Sequence, residues 1–334
     1  MLNQMKTKKY NYGTAILSAF EYLLENYKEI FVIGQGLWSP WYVGNTMTGL
    51  DKKFGKDRII DTPVSESATT GAAIGASLSG MKPIVVHPRM DFMLYAMDPI
   101  VNQAAKWSHM FGGQSHAGVT VRSIINRGGE QGAQHSQALH AWFTHVPGLR
   151  VVMPSTVLDA RNLLISSVLC KDPVIYIDDR WLYEQEAYLP PIEERELSLE
   201  KPKISLEGSD LTIVSSGHSS YLVREACKKI KNENILPEII DVRVLSPLYS
   251  KDIINSVKKT RKLLVVDPGW ISSGFSAELI SKVVESIYVG CLKKPPIRIA
   301  LPDAPAPTSS NLEKEYYTSI ENIISCIRKL TKNK

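Results

Sequence analysis

Short apolar runs alternate with longer amphipathic stretches along almost the whole chain. FVIG (31–34), PIVV (83–86), VTVRSII (119–125), LRVVM (149–153) and PVIYI (173–177) predict buried strands. Between them the periodicity predicts helices over 13–27, 66–79, 93–107 and 156–170. This rhythm implies parallel strands joined by right-handed crossovers, hence an α/β sheet covered on both faces. Around residue 185 the alternation stops. The segment 184–210, with Pro190, Pro191 and many acidic side chains, reads as an interdomain connection. Beyond it come LTIVSS (211–216), helix 219–232, EIIDV (238–242), helix 250–259, LLVVD (263–267), helix 273–288, IRIAL (297–301) and helix 313–331. The expected organisation is a doubly wound domain over 1–190, a linker over 191–207 and a second doubly wound domain over 208–334.

Composition excludes several classes without changing that picture. With 44% hydrophobic and 22% charged residues among 334, disorder is excluded. No run approaches the roughly 20 apolar residues of a membrane span. The basic start MLNQMKTKKYNYGT has no apolar stretch behind it, so the reading is a cytoplasmic protein without an export signal. Cys170, Cys227, Cys291 and Cys326 form no CxxC pair, which argues against a disulfide framework and against structural zinc. The net charge of +5 is spread through the chain, and only Arg328, Lys329, Lys332 and Lys334 cluster at the tail. That pattern is a solvated end and not a nucleic-acid footprint.

Candidate chemistry concentrates where strands end. Gly34-Gln35-Gly36 follows a strand but lacks the third glycine of a dinucleotide fingerprint, so a tight turn is expected. There is no GxxxxGK[ST], no complete nucleophile elbow and no HExxH, and no metal ligands are assigned. DTPVSESATTGAAIGASLSG (61–80) is more informative. Pro63 ends a strand, Ser65 can cap a helix, and Gly71 and Gly75 each cost that helix about 1 kcal/mol relative to alanine. A helix of this kind is expected to lie close to another backbone or a ligand. Glu66 in its first turn complements the helix dipole, worth roughly 0.3–1 kcal/mol, and is also a candidate active carboxylate. Phe92 follows a strand through the turn His87-Pro88-Arg89. His135 follows the glycine-rich loop RGGEQGAQ, whereas His140 and His145 fall on an amphipathic stretch and read as packed or solvated. Three strand exits carrying Glu66, Phe92 and His135 point to one cleft at the carboxyl edge of a parallel sheet.

DTPVSE, DFMLYAMDPIVNQAAKW, GAQHSQALHAWFTHVPGLRVVMPST and VIYIDDRWLYE together resemble the beta subunit of the thiamine-diphosphate-dependent 2-oxo acid dehydrogenases. DLTIVSSGHSSYLVREA, IIDVRVLSPLYSKDIINSVKKTRKLLVVDPGW and APAPTSSNLEKEYY are similar to the transketolase-type C-terminal domain of that family. The resemblance covers about residues 12–330 and implies a transketolase-like pyrimidine-binding domain followed by that C-terminal domain. It places the family's activating glutamate on Glu66, facing the aminopyrimidine ring and promoting proton removal from the thiazolium carbon. Phe92 is then the residue that stacks on the pyrimidine, and His135 the acid–base group at the reacting end. The family holds magnesium and the diphosphate on a Gly-Asp-Gly motif, which this sequence lacks. The resemblance therefore implies an alpha subunit supplying that half, self-association of the beta chains into a heterotetramer, and a lipoyl acyltransferase as acceptor. Glu130 departs from the family's glycine run and leaves substrate size and polarity open. Two alternatives share these residues or the fold. One is the C-terminal half of a split transketolase-like or acyloin-forming enzyme; the other is a non-catalytic scaffold homodimer, which has no need of Glu66, Phe92 and His135.

Overall fold

Residues 8–332 are described by a computed structural model. Residues 1–7 of the basic start and Lys334 of the basic tail lie outside the described residues. The chain divides into two units. The first comprises residues up to Asn126 together with Trp142–Glu200, and the second comprises Arg127–Ala141 together with residues from Lys201.

The first unit contains β1 (Lys8–Asn11), α1 (Tyr12–Asn26), β2 (Ile30–Gly34), α2 (Leu50–Phe54), β3 (Ile59–Asp61), α3 (Glu66–Leu78) and β4 (Lys82–His87). It continues through α4 (Ala105–Met110), β5 (Thr120–Ile125), β6 (Arg150–Val152), α6 (Val157–Leu169), β7 (Val174–Asp179) and β8 (Glu186–Leu189), while the short α5 (His140–Thr144) begins in the segment of the second unit and ends in the first. The strands β6-β7-β5-β4-β2-β3 lie side by side and are all parallel, as strands separated by helical crossovers must be. Every residue of β5 and β7 is buried, which accounts for apolar runs without polar alternation. α1 starts at a reciprocal capping box between Asn11 and Thr14 and buries Ile16, Phe20, Leu23 and Leu24. It packs against α6, whose cap is the Thr156 hydroxyl accepting the Asp159 N–H at 3.1 Å.

Arg122 sits in the middle of β5 with no solvent exposure. Its guanidinium donates to both carboxylate oxygens of Asp178 on β7, at 3.0 and 2.8 Å. It also donates to Thr46 at 2.8 Å and to the Tyr183 hydroxyl at 3.0 Å. Burial alone would lower the Arg122 pKa, but the Asp178 carboxylate outweighs it and the net shift is upward. Breaking such a desolvated pair by removing one partner costs about 3–5 kcal/mol.

The second unit holds β9 (Lys203–Leu206), β10 (Leu211–Ser215), α7 (Gly217–Lys229), β11 (Pro237–Asp241), β12 (Val244–Ser246) and α8 (Lys251–Thr260). Then follow β13 (Leu263–Trp270), α9 (Phe275–Ser286), β14 (Ile297–Leu301), α10 (Ser310–Tyr316) and α11 (Ile320–Thr331). Its sheet has the order β14-β13-β10-β11-β9, parallel except for β9 at the edge. Leu211, Ile213, Leu264 and Val266 from the strands meet Val223 of α7 and Ile323 and Ile327 of α11 in its core. Two doubly wound α/β units are thus what the sequence leads one to expect.

Three details differ from that expectation. The predicted helix 93–107 is broken into a 3-10 turn (Phe92–Ala96), a π-helical turn (Pro99–Ala104) and α4, because Pro99 cannot donate to the turn before it. The predicted helix 313–331 is two helices, since Ser319 and Asn322 form a capping box that starts α11 afresh. The stretch read as a connection carries β8, which pairs antiparallel with β1, and β9; the division between units falls inside it, after Glu200.

Candidate functional site

The carboxyl ends of β2, β3, β4, β5 and β7 share one edge of the first sheet, where open α/β sheets bind ligands. At β2 the chain turns through Gly34-Gln35-Gly36. A Cβ on Gly34 would stand 2.3 Å from the Val86 carbonyl oxygen, and Gly36 has φ +71°. The Asp61 carboxylate at the end of β3 accepts the N–H groups of Gly36 at 2.6 Å and Leu37 at 3.2 Å, tying the two exits together. The glycines serve a tight turn, as expected from the missing third glycine.

Glu66 is the first residue of α3, half-buried, and no partner among the described residues occupies its carboxylate. Ser65 stands at the cap position but its hydroxyl donates to Val64 O at 2.7 Å and not to the helix. The cap read into Ser65 is therefore corrected: the side chain points away, and Glu66 itself is the polar group at the helix start. One turn on, the Thr70 hydroxyl lies 3.2 Å from Nε2 of His87, which anchors α3 on the end of β4. His87 is only 3% exposed, and burial lowers its pKa to about 4, so it is a neutral hydrogen-bonding group. Phe92 begins the 3-10 turn after β4, and that turn packs against α3. Glu66 and Phe92 thus both follow strands of the first sheet at its carboxyl edge. The face of α3 with Gly71 and Gly75 is open, for a Cβ at either would meet nothing within 4 Å. The close neighbour expected for this small-residue face is not supplied at these two positions by the described residues.

Arg89 and Arg180 were not singled out by sequence, yet both stand at this edge. Arg89 meets the Asn126 side-chain oxygen at 2.7 and 3.3 Å, with the amide oriented to accept. Arg180 donates to the Tyr42 carbonyl oxygen. Burial and then the charge of Arg180 lower the pKa of Arg89, while Asp91 acts against them. Arginines directly after buried strands are the signal that could have found them.

His135 lies in Arg127–Ala141, the segment that belongs to the second unit. Its ring is half-buried, and its backbone N–H reaches Gly132 O at 3.4 Å. Within that unit, Arg127 donates to the Pro268 carbonyl oxygen at 3.0 Å, and its guanidinium lies 5.9 Å from the centre of the Tyr317 ring. His140 is fully buried, with Nε2 2.9 Å from Oδ1 of Asp267. Asp267 also accepts the N–H groups of Gly269 at 3.0 Å and Ser276 at 2.7 Å. Burial pushes the Asp267 carboxyl up, but His140 and these two donors outweigh it and hold the carboxyl below its usual range. His140 is indeed packed, and it is also one half of a buried hydrogen-bonded pair that spacing could not reveal, since its partner is 127 residues away.

Comparison with known proteins matches both units. Residues 8–185 match the transketolase pyrimidine-binding domain and residues 200–323 the transketolase C-terminal domain. The chain is 33% identical to the pyruvate dehydrogenase E1 component subunit beta of Rhizobium meliloti, over 90% of this chain. It spans only 65% of that relative's length. The mitochondrial counterpart from Dictyostelium discoideum is 34% identical over 97% of this chain and 92% of its own. The beta subunit of acetoin:2,6-dichlorophenolindophenol oxidoreductase from Cupriavidus necator is 39% identical over 85% of this chain and 83% of its own. A solved split-gene transketolase, an inactive beta4 tetramer, superimposes with a TM-score of 0.77 at 18% identity, covering 96% of this chain and 98% of its own, which establishes a shared fold. Two transketolase domains in this order and full-length relatives of this kind mean that the chain belongs to the transketolase-like family of pyruvate and acetoin dehydrogenase beta subunits.

Proposed function

We propose that this chain is the beta subunit of a thiamine-diphosphate-dependent 2-oxo acid dehydrogenase, decarboxylating a 2-oxo acid and passing the acyl group to a lipoyl carrier. The observation that carries the reading is Glu66, a half-buried carboxylate with no described partner, opening α3 beside the turn of Phe92. Its surroundings fit the pyrimidine half of the cofactor. A carboxylate in this place can share a proton with a weakly basic ring nitrogen, and an aromatic ring nearby can cover that heterocycle's face. When bound, thiamine diphosphate supplies a nucleophilic ring carbon and an electron sink for the departing carboxylate. Glu66 holds and returns the proton at the pyrimidine nitrogen, Phe92 orients the ring, and His135 moves protons at the reacting end.

Magnesium and the diphosphate are assigned to an alpha subunit, because the chain lacks a Gly-Asp-Gly motif. The active form is then an assembly of alpha and beta chains. The test is purification of the tagged chain from its own cells, followed by identification of what accompanies it. A co-purifying subunit with that motif, and thiamine-dependent release of CO2 from a 2-oxo acid, is the expected result. A self-associated chain that binds no thiamine diphosphate with any co-purifying protein would leave the scaffold reading standing.

A further inference from the structure

The loop that carries His135 is fastened at both ends to two consecutive residues of β13. At its start, Arg127 donates to the carbonyl oxygen of Pro268; at its end, His140 meets the carboxylate of Asp267 at 2.9 Å. We propose that the Asp267–His140 pair is the positioning device for His135, a role that rests on the decarboxylation reading above.

The carboxylate is rigid. Oδ1 is shared by His140 and the Gly269 N–H, and Oδ2 takes the Ser276 N–H from the first turn of α9. Phe275 stands edge-on to the His140 ring, with centroids 6.3 Å apart and planes at 70°. Gly269 leaves the space: a Cβ there would stand 2.9 Å from Cε1 of His140 and 3.3 Å from the Ala138 carbonyl oxygen. An exposed contact of this kind holds little, but here both side chains are buried and the acceptor is fixed by two backbone N–H groups, so breaking the contact leaves a buried polar group unpaired. Between His135 and His140, Ser136, Ala138 and Leu139 are buried as well. Displacement of His140 therefore passes along a short packed segment to His135. The middle of the loop is held too, where the Glu130 N–H donates to the Glu313 carboxylate at 3.1 and 3.2 Å. The pair is assigned no chemistry of its own; it acts through His135, where a displacement of about 1 Å can cost on the order of 100-fold in rate.

Three variants test this in the full chain and in its complex with the co-purified partner. His140→Ala removes the contact, whereas His140→Gln keeps an N–H at the same reach toward Asp267. Gly269→Ala leaves both partners in place but crowds the ring. We expect His140→Ala and Gly269→Ala to lower kcat by roughly 100-fold with KM for the 2-oxo acid within about twofold. His140→Gln should recover most of the loss. In the full chain labelled at histidine, NMR signals of the His135 ring should broaden or multiply in the first two variants and return to one set in the third. Unchanged His135 signals in both His140→Ala and Gly269→Ala, or equal kcat loss in His140→Ala and His140→Gln, would overturn the proposal. If the unmutated complex releases no CO2, the functional reading falls instead, and the histidine signals alone decide the clasp.

Discussion

The backbone N–H of Glu130 donates to both carboxylate oxygens of Glu313, at 3.1 and 3.2 Å. In return the Glu130 carboxylate accepts the N–H of Ser310, the first residue of α10, at 3.0 Å. Glu130 has φ +62°, a conformation that costs a non-glycine residue roughly 1–2 kcal/mol. The side chain that interrupts the glycine run is thus one arm of a bracket between this loop and α10.

Glu130→Ala should then destabilise the chain by about 1 kcal/mol, the net worth of one such bond, and leave substrate choice alone. Melting temperatures give the first quantity. The ratio of kcat/KM for a short and a branched 2-oxo acid gives the second. A changed ratio would return Glu130 to the substrate.

His87 makes stability depend on pH in a window where few groups titrate. Its folded-state pKa is about 4 against 6.5 unfolded, because burial disfavours the charged ring. Above about pH 6.5 the ring is neutral in both states and its contribution is complete. As pH falls, the unfolded chain takes up a proton that the folded one refuses, so stability declines until the folded ring protonates near pH 4. The whole window is worth roughly 3 kcal/mol. Asp267, also depressed, acts only below its usual 3.8, so the two effects separate. Denaturant titrations of His87→Gln at about pH 7 and about pH 5 should show a flatter dependence than the unmutated chain. Parallel dependences would assign the acid sensitivity to another group.

How legible was this molecule in its sequence? The long buried strands and amphipathic helices were, because burial on both faces or one face imposes its own period: β5, β7, α1 and α6 fall where the pattern puts them. Short edge elements were not. β9 is exposed along its length and β8 mostly so, and such strands need no hydrophobic pattern because their hydrogen bonds come from a distant partner. Glu66, Phe92 and His135 were legible as strand exits and through family motifs. What spacing cannot show is which residues far apart in the chain answer one another. The Asp267–His140 pair and the Glu130–Glu313 bracket, each spanning more than a hundred residues, exist only after folding.

His135 itself should be indispensable to turnover and dispensable to cofactor binding. His135→Ala is expected to lower the overall rate of the complex by roughly 100- to 10,000-fold, the range of a positioned acid–base group. Thiamine diphosphate affinity, followed by calorimetry on the same complex, should stay within about threefold, since uniform binding is not what an acid–base group supplies. Full activity in the variant would reduce His135 to a loop residue.

Glu66 admits two roles with opposite consequences. If its carboxylate only complements the dipole of α3, Glu66→Gln should cost about 0.3–1 kcal/mol of stability and leave turnover untouched. If it holds the pyrimidine proton, the same change should spare stability and arrest chemistry. The amide has nearly the shape of the acid, and no described partner depends on the lost charge, so folding and assembly should survive. It cannot take up and return a proton, however. Proton–deuterium exchange at the thiazolium carbon, followed by NMR in the assembled complex, reports that step before substrate is added. We expect exchange slowed by at least about 100-fold, as for loss of a positioned acid–base group, with the melting temperature almost unchanged. Exchange as fast in Glu66→Gln as in the unmutated complex would leave the carboxylate with the helix dipole alone.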